Sequence, residues 1–140
     1  MSEFKKLTLP SRIESVDEAA IIVEAFGRAN GYGDDVLSAI DLAIRESVAN
    51  AVKHGNKFDE SKEVELSIGH SQKGLEITVR DFGTGFSVED VPDPTNPENL
   101  LKVNGRGILF MRSFMDEVEW SNPPGGGMKV RMLKVKGENG

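Results

Sequence analysis

A carboxylate and a carboxamide stand four positions apart at Glu46 and Asn50, in the segment ESVANAVKHGN that also contains His54 and Gly55. On a helix, at about 100° per residue, the two side chains lie about 40° apart on one face. An Asn oxygen can bind a hard cation, and a Glu carboxylate can accept a proton from a nearby hydroxyl or water. Polar pairs at this spacing are also common on solvated helix faces. The pair alone therefore leaves both interpretations open.

A second group follows an alternating apolar segment and reads Asp81-Phe-Gly-Thr-Gly85-Phe86. Glycines at alternate positions, Gly83 and Gly85, let the backbone turn sharply and approach a ligand closely. An Asp at the end of a strand can accept a hydrogen bond from an exocyclic amine. A plain turn after a strand has a similar composition, so this group indicates a ligand site only in combination with others.

The third group is Gly105-Arg106-Gly107, directly before the apolar run Ile108-Leu-Phe-Met. Glycines at the start of a helix expose backbone N–H groups to an anion, and the helix dipole reinforces that attraction. A helix cap or a hinge accounts for the same three residues equally well. The sequence contains no P-loop pattern, so any nucleotide site in it is of another kind.

The elements that must position these groups follow from the spacing of apolar residues. Recurrence at helical spacing predicts helices, and strict alternation predicts strands. The second helix begins at Asp34 or Asp35, either of which could cap it. The predicted elements are a strand at 4–10, helices at 16–30 and from Asp34 to about residue 53, a hairpin over 62–82, an irregular stretch at 83–104, a helix at 106–115, and strands at 117–121 and 128–136. This order predicts an α+β two-layer sandwich with helices on one face of a mixed sheet.

The composition excludes several classes of protein. The chain is 38% hydrophobic and 29% charged, which predicts that residues 1–140 form one soluble globular domain. Its net charge, 17 − 23 = −6, argues against direct nucleic-acid binding. The lack of Cys excludes disulfides and cysteine-ligated metals. No apolar run approaches the roughly 20 residues of a membrane span, and MSEFKKLTLP lacks the core of a signal peptide, so we expect a cytoplasmic protein without a membrane partner.

The order of the three groups resembles the GHKL ATPase superfamily: E-x-x-x-N on a helix, D-x-G-x-G after a strand, a long loop, then G-x-G opening a helix. More narrowly, ESVANAVKHGN, VRDFGTGF and NGRGILFMRSFMDEV resemble the bacterial anti-sigma factor serine/threonine kinases, and the resemblance spans roughly residues 4–136. It implies the Bergerat ATP-binding fold with a mostly antiparallel sheet. It also implies a protein serine kinase that uses ATP and Mg²⁺, sequesters a sigma factor and phosphorylates an anti-anti-sigma antagonist.

The resemblance also implies a role for each matching residue. Glu46 would be the catalytic base, Asn50 would coordinate Mg²⁺, and Asp81 would bind the adenine amino group. His54 lies within the motif and is counted with the nucleotide-binding residues, although a capping or packing role explains it as well. The other implied nucleotide contacts are Gly83, Gly85, Phe86, Gly105, Arg106 and Gly107.

Two other functions stay open at this point. One is a nucleotide-dependent binding module that transfers no phosphate; the carboxylate of Glu46 favours the kinase over it. The other is a detached histidine-kinase catalytic domain; against it, no helical hairpin with a phosphoacceptor His precedes the first motif. The sequence leaves homodimerisation and the identity of the sigma factor and its antagonist open.

Overall fold

The computed structural model describes residues 3–83 and 114–135. Two helices and five strands lie in these ranges. In chain order they are β1 (Glu3–Pro10), α1 (Glu14–Ala29), α2 (Asp34–Asn50), β2 (Glu63–His70), β3 (Gly74–Arg80), β4 (Glu117–Ser121) and β5 (Lys129–Val135), and a single π-helical turn, Ala51–Gly55, follows α2. The predicted irregular stretch from 84 onward and the predicted helix up to residue 113 lie outside the described residues.

The strands form one sheet in the order β1-β2-β3-β5-β4, and all four pairings are antiparallel. The expected α+β architecture is confirmed, but the described sheet is not mixed. Strands β3 and β4 run in the same direction, yet β5 lies between them and is antiparallel to both. No two neighbouring strands of the described sheet are therefore parallel.

The helices cover one face of this sheet. On β2 the inward residues Val64, Leu66 and Ile68 are fully buried, whereas their neighbours Glu65 and Ser67 point to the other face and are half-buried. Period-two alternation of this kind is the pattern of a sheet with one face in the core. From the helices, the same core contains Ala19, Val23, Ile40, Ile44 and Val48. In the described part of the chain, neither helix is long and apolar enough to cross a membrane.

Both ends of α2 differ from the sequence prediction. Its N-cap is Gly33, in extended conformation and without a side-chain cap, so Asp34 and Asp35 lie in the first turn instead of capping it. The α-helix ends at Asn50, three residues earlier than expected. The chain then widens into the π turn, in which the Asn56 N–H donates to the Ala51 carbonyl at 2.8 Å. Single π turns of this kind are frequent at functional sites.

Candidate functional site

The side chain of Asp81 is the centre of the site. It follows β3 directly and is only 6% exposed. Its Oδ1 atom accepts hydrogen bonds from the main-chain N–H of Gly83 at 3.0 Å and of Met128 at 3.3 Å. Within residues 3–83 and 114–135 no donor is hydrogen-bonded to Oδ2. One carboxylate oxygen is thus fixed by the protein, and the other is an unused acceptor.

Burial raises the pKa of the Asp81 carboxyl above its ordinary value, because the charged form loses water. The hydrogen bonds from Gly83 and Met128 and the charges of Arg80 and Lys62 oppose this rise without cancelling it. The ionised carboxylate is therefore under-solvated in the folded protein. A ligand that donated a hydrogen bond to Oδ2 would replace part of the lost hydration.

Three glycines around Asp81 have neighbours so close that a side chain is excluded, and two of them pack against Asp81 itself. A Cβ atom on Gly55 would overlap Oδ2 of Asp81, and one on Gly127 would overlap its main-chain oxygen. A Cβ atom on Gly83 would overlap the carbonyl oxygen of Gly55, so this glycine joins the Asp81 segment to the π turn. Of the three, sequence reasoning identified only Gly83 as a site residue.

Asn56 is a buried residue of the site that sequence reasoning missed. Its Oδ1 atom accepts the N–H of Phe82 at 2.9 Å, and its Nδ2 atom donates to Ser11 Oγ at 2.8 Å and to the Glu63 carbonyl at 3.2 Å. Ser11 in turn donates to the carbonyl of Lys62. The only sequence signal was its place at the end of ESVANAVKHGN, where an Asn after Gly is also common as a helix terminator. This network fixes the segment after Asp81 to the end of the π turn.

Glu46 and Asn50 lie one helical turn apart on α2, at the edge of its buried face, and both are half-buried. In the described ranges neither side chain makes a hydrogen bond or an ion pair. Asn50 ends α2, and Gly55, five residues later, touches Asp81. The structure therefore brings the end of α2 and the end of β3 to one region of the molecule.

Of the remaining predicted site residues, His54 alone lies in the described ranges. His54 is exposed on the π turn, and in the part of the chain that is described its ring makes no hydrogen bond. The expectations for Gly85, Phe86, Gly105, Arg106 and Gly107 lie outside the described residues. Their roles stay predictions.

The residues around Asp81 fit an adenine base. The free Oδ2 acceptor suits an exocyclic amine, and the missing side chains of Gly55 and Gly127 keep the carboxylate surrounded by main chain. No cluster of three or more His, Asp or Glu side chains that could hold a metal occurs among the described residues. An isolated Asn oxygen suits Mg²⁺ when most of the other ligands are phosphate oxygens and water.

Comparisons with known proteins find similarity over nearly the whole chain. A sequence model of the histidine kinase-like ATPase domain matches residues 9–134. An anti-sigma F factor of Clostridium perfringens (strain SM101 / Type A) is 31% identical over 138 residues, which cover 96% of this chain and 97% of that protein. A serine-protein kinase RsbW of Bacillus subtilis (strain 168) is 27% identical over 139 residues, which cover 95% of this chain and 86% of that protein. These matched stretches cover nearly all of the described fold.

Proposed function

This chain belongs to the histidine kinase-like ATPase domain family, and from that premise we propose that it is an ATP-dependent protein serine kinase and anti-sigma factor. It holds a sigma factor, and it transfers the γ-phosphate of ATP to a serine of the anti-anti-sigma protein that opposes this hold. Relatives named serine-protein kinase RsbW support the kinase activity, and relatives named anti-sigma F factor support the hold on a sigma factor.

The observation that carries the nucleotide part is the half-satisfied carboxylate of Asp81. Adenine presents an exocyclic amine that donates hydrogen bonds, whereas guanine has a carbonyl oxygen at the same ring position. An unused acceptor at Oδ2 attracts the first group and repels the second. The site therefore favours ATP over GTP.

The Mg²⁺ ligand that we propose is the side-chain oxygen of Asn50. Bound there, Mg²⁺ would help to neutralise the charge of the nucleotide phosphates. The side chain of Asn50 has no hydrogen-bond partner in the described ranges. Asn50 ends α2, and Gly55, which contacts Asp81, follows it by five residues. The further nucleotide contacts in this proposal are His54, Gly83, Gly85, Phe86, Gly105, Arg106 and Gly107.

Glu46 is the proposed general base. In the transfer, the serine oxygen bonds to the γ-phosphorus, the bond to the β–γ bridging oxygen breaks, ADP leaves, and the serine proton passes to the Glu46 carboxylate. Glu46 lies one helical turn before Asn50 on the same face of α2, and in the described residues no cation neutralises it. A base here would lie on the same helix face as the residue proposed to hold Mg²⁺.

The test is Glu46→Gln, which keeps the size and polarity of the side chain but removes the proton acceptor. Phosphate transfer from labelled ATP to the antagonist should fall by about 10²- to 10⁴-fold, while ATP affinity stays near wild type. Glu18→Gln is the matched control, because this exposed residue of α1 undergoes the same chemical change. Transfer by Glu46→Gln at the wild-type rate would exclude Glu46 as the base. A wild type that binds ATP and the antagonist without transfer would be a binding module instead of a kinase.

A further inference from the structure

Arg80 ends β3 directly before Asp81 and reaches across to the turn between β4 and β5. Its Nη2 atom donates to the carbonyl oxygens of Pro124 at 2.9 Å and Gly126 at 3.1 Å. The guanidinium carbon lies 4.4 Å from the centre of the Phe82 ring. The carboxylate of Glu65 on β2 is 4.0 Å from Nη1. This distance is at the outer limit of an ion pair, so the pair contributes little energy. Among the described residues, the main contacts of Arg80 are thus with the turn and with Phe82.

The turn that Arg80 contacts has little structure of its own. It reads Pro123-Pro-Gly-Gly-Gly127, and the three glycines have φ angles of +97°, +96° and +83°. Glycine has the largest conformational freedom of any residue, and consecutive glycines offer no side chains to pack. Inside the turn, the Gly126 N–H donates to the Pro123 carbonyl at 3.2 Å, and the Asn122 side chain donates to the Gly127 carbonyl at 3.0 Å.

The end of the same turn holds Asp81. The last residue pair of the β3–β5 ladder is Arg80 with Lys129, so Met128 stands opposite Asp81. The Asp81 N–H donates to the Met128 carbonyl at 2.9 Å, and the Met128 N–H donates to Asp81 Oδ1 at 3.3 Å. Gly127 is also packed against the Asp81 main chain. A shift of the turn would therefore move both the Met128 N–H, which donates to Oδ1, and Gly127, which packs beside Asp81.

We infer that Arg80 is a positioning residue for the nucleotide site: it fixes the glycine turn, and through Gly127 and Met128 it fixes the orientation of the Asp81 carboxylate. This inference rests on the proposed function, because it takes Asp81 as the group that recognises adenine. Arg80 itself touches neither base nor phosphate in this role. A planar guanidinium can donate to two carbonyl oxygens and stack on an aromatic ring at the same time, whereas a Lys ammonium has no planar group to stack.

The experiment compares two nucleotides on the Arg80→Met variant, which keeps an unbranched apolar stem beside Phe82. The probes are Mg-ATP and the triphosphate of purine riboside, which is ATP without the exocyclic amine. Arg80→Met should weaken ATP by about tenfold, since part of a hydrogen bond to a charged acceptor is lost. It should leave the purine analogue unchanged, because that analogue makes no bond to Asp81. Arg131→Met is the matched control: Arg131 lies on β5 and pairs with Glu76, Glu117 and Glu119 instead of the turn.

A second measurement needs no nucleotide and separates the inference from the proposed function. Hydrogen exchange of the Met128 amide should become faster in Arg80→Met and stay at the wild-type rate in Arg131→Met. Arg80→Lys, which keeps the charge, should give an ATP affinity and a Met128 exchange rate between those of wild type and Arg80→Met. If Arg80→Met does not fold, both measurements are made on Arg80→Lys instead. Equal losses for ATP and the analogue, or unchanged Met128 exchange in a folded variant, would overturn the positioning role. A wild type that binds neither nucleotide, with Met128 exchange still dependent on Arg80, would overturn the proposed function alone.

Discussion

Asp81→Asn is an informative change because the two carboxylate oxygens of Asp81 have different surroundings. Oδ1 accepts the N–H groups of Gly83 and Met128, and only an oxygen can do so. The carbonyl oxygen of an Asn at this position must therefore take the place of Oδ1. Its NH₂ group then occupies the place of Oδ2, where the wild type has a free acceptor. The substitution thus replaces an acceptor by a donor at one defined point.

The magnitude follows from this orientation. A hydrogen bond to a charged acceptor contributes about 1.5–3 kcal/mol, so its loss weakens ATP by about 10- to 150-fold. The new NH₂ group also faces the amine of adenine, donor against donor, which adds to the loss. Guanine presents a carbonyl oxygen there and accepts a hydrogen bond from the Asn. We therefore expect GTP affinity to stay constant or rise in Asp81→Asn.

Calorimetric titration of wild type and variant with Mg-ATP and Mg-GTP measures both affinities. Asp35→Asn is the matched control, because Asp35 is exposed in the first turn of α2 and the change removes the same charge. It should alter neither affinity by more than about twofold, as a surface charge change usually has small effects. Equal weakening of ATP and GTP by Asp81→Asn, in a protein with a native melting transition, would mean that Asp81 has a structural role and does not read the base.

Two further predictions concern the stability of the same site. Gly127→Ala should destabilise the fold by clearly more than Gly126→Ala. Both residues have a left-handed φ, which costs an Ala about 1–2 kcal/mol, but only at Gly127 does the added Cβ overlap Asp81. Equal urea midpoints for the two variants would contradict the packing argument. The second prediction concerns pH. The pKa of Asp81 is raised in the folded state above the ordinary value of 3.8. The contribution of Asp81 to stability is therefore complete below pH 3.8 and is lost as the pH rises through the folded-state pKa. Asp81→Asn should therefore be at least as stable as wild type at pH 7 without nucleotide, with an advantage that shrinks on acidification toward pH 4; an advantage that grows on acidification would mean that the native pKa is lowered.

Periodicity was enough to predict most of the described fold. Alternating apolar residues located the hairpin now seen as β2 and β3, and helical spacing located α1 and α2 to within a few residues. The same helix geometry placed Glu46 and Asn50 on one face of α2. These features depend on side chains within one or two turns of each other, which is the range over which a sequence pattern reports structure.

The surroundings of Asp81 were beyond that range. Asn56 meets Phe82 across 26 positions, Arg80 meets Gly126 across 46, and Met128 meets Asp81 across 47. The first contact depends on the exit of the π turn, and the other two depend on the register of β3 with β5. The π turn itself has no pattern that separates it from an ordinary helix end, since Ala51 and Val52 continue the apolar face of α2. Of these features, only the hydrogen-bond acceptor character of Asp81 could be predicted from the sequence, because it follows from the residue type alone.

These long-range contacts share one physical consequence. Asn56 and the π turn hold the segment after Asp81 from one side, and the glycine turn holds Asp81 from the other, so the carboxylate cannot rotate toward water without breaking main-chain hydrogen bonds. Without a bound ligand, an ionised carboxylate held in this way is less stable than one exposed at the surface, because it has lost water. The raised pKa of Asp81 expresses this cost. The same restraint means that Oδ2 is already oriented before a base arrives, so little conformational entropy is lost on binding. Lower stability of the empty protein and recognition of adenine are thus two effects of one arrangement, and a variant that relaxes the restraint should change both.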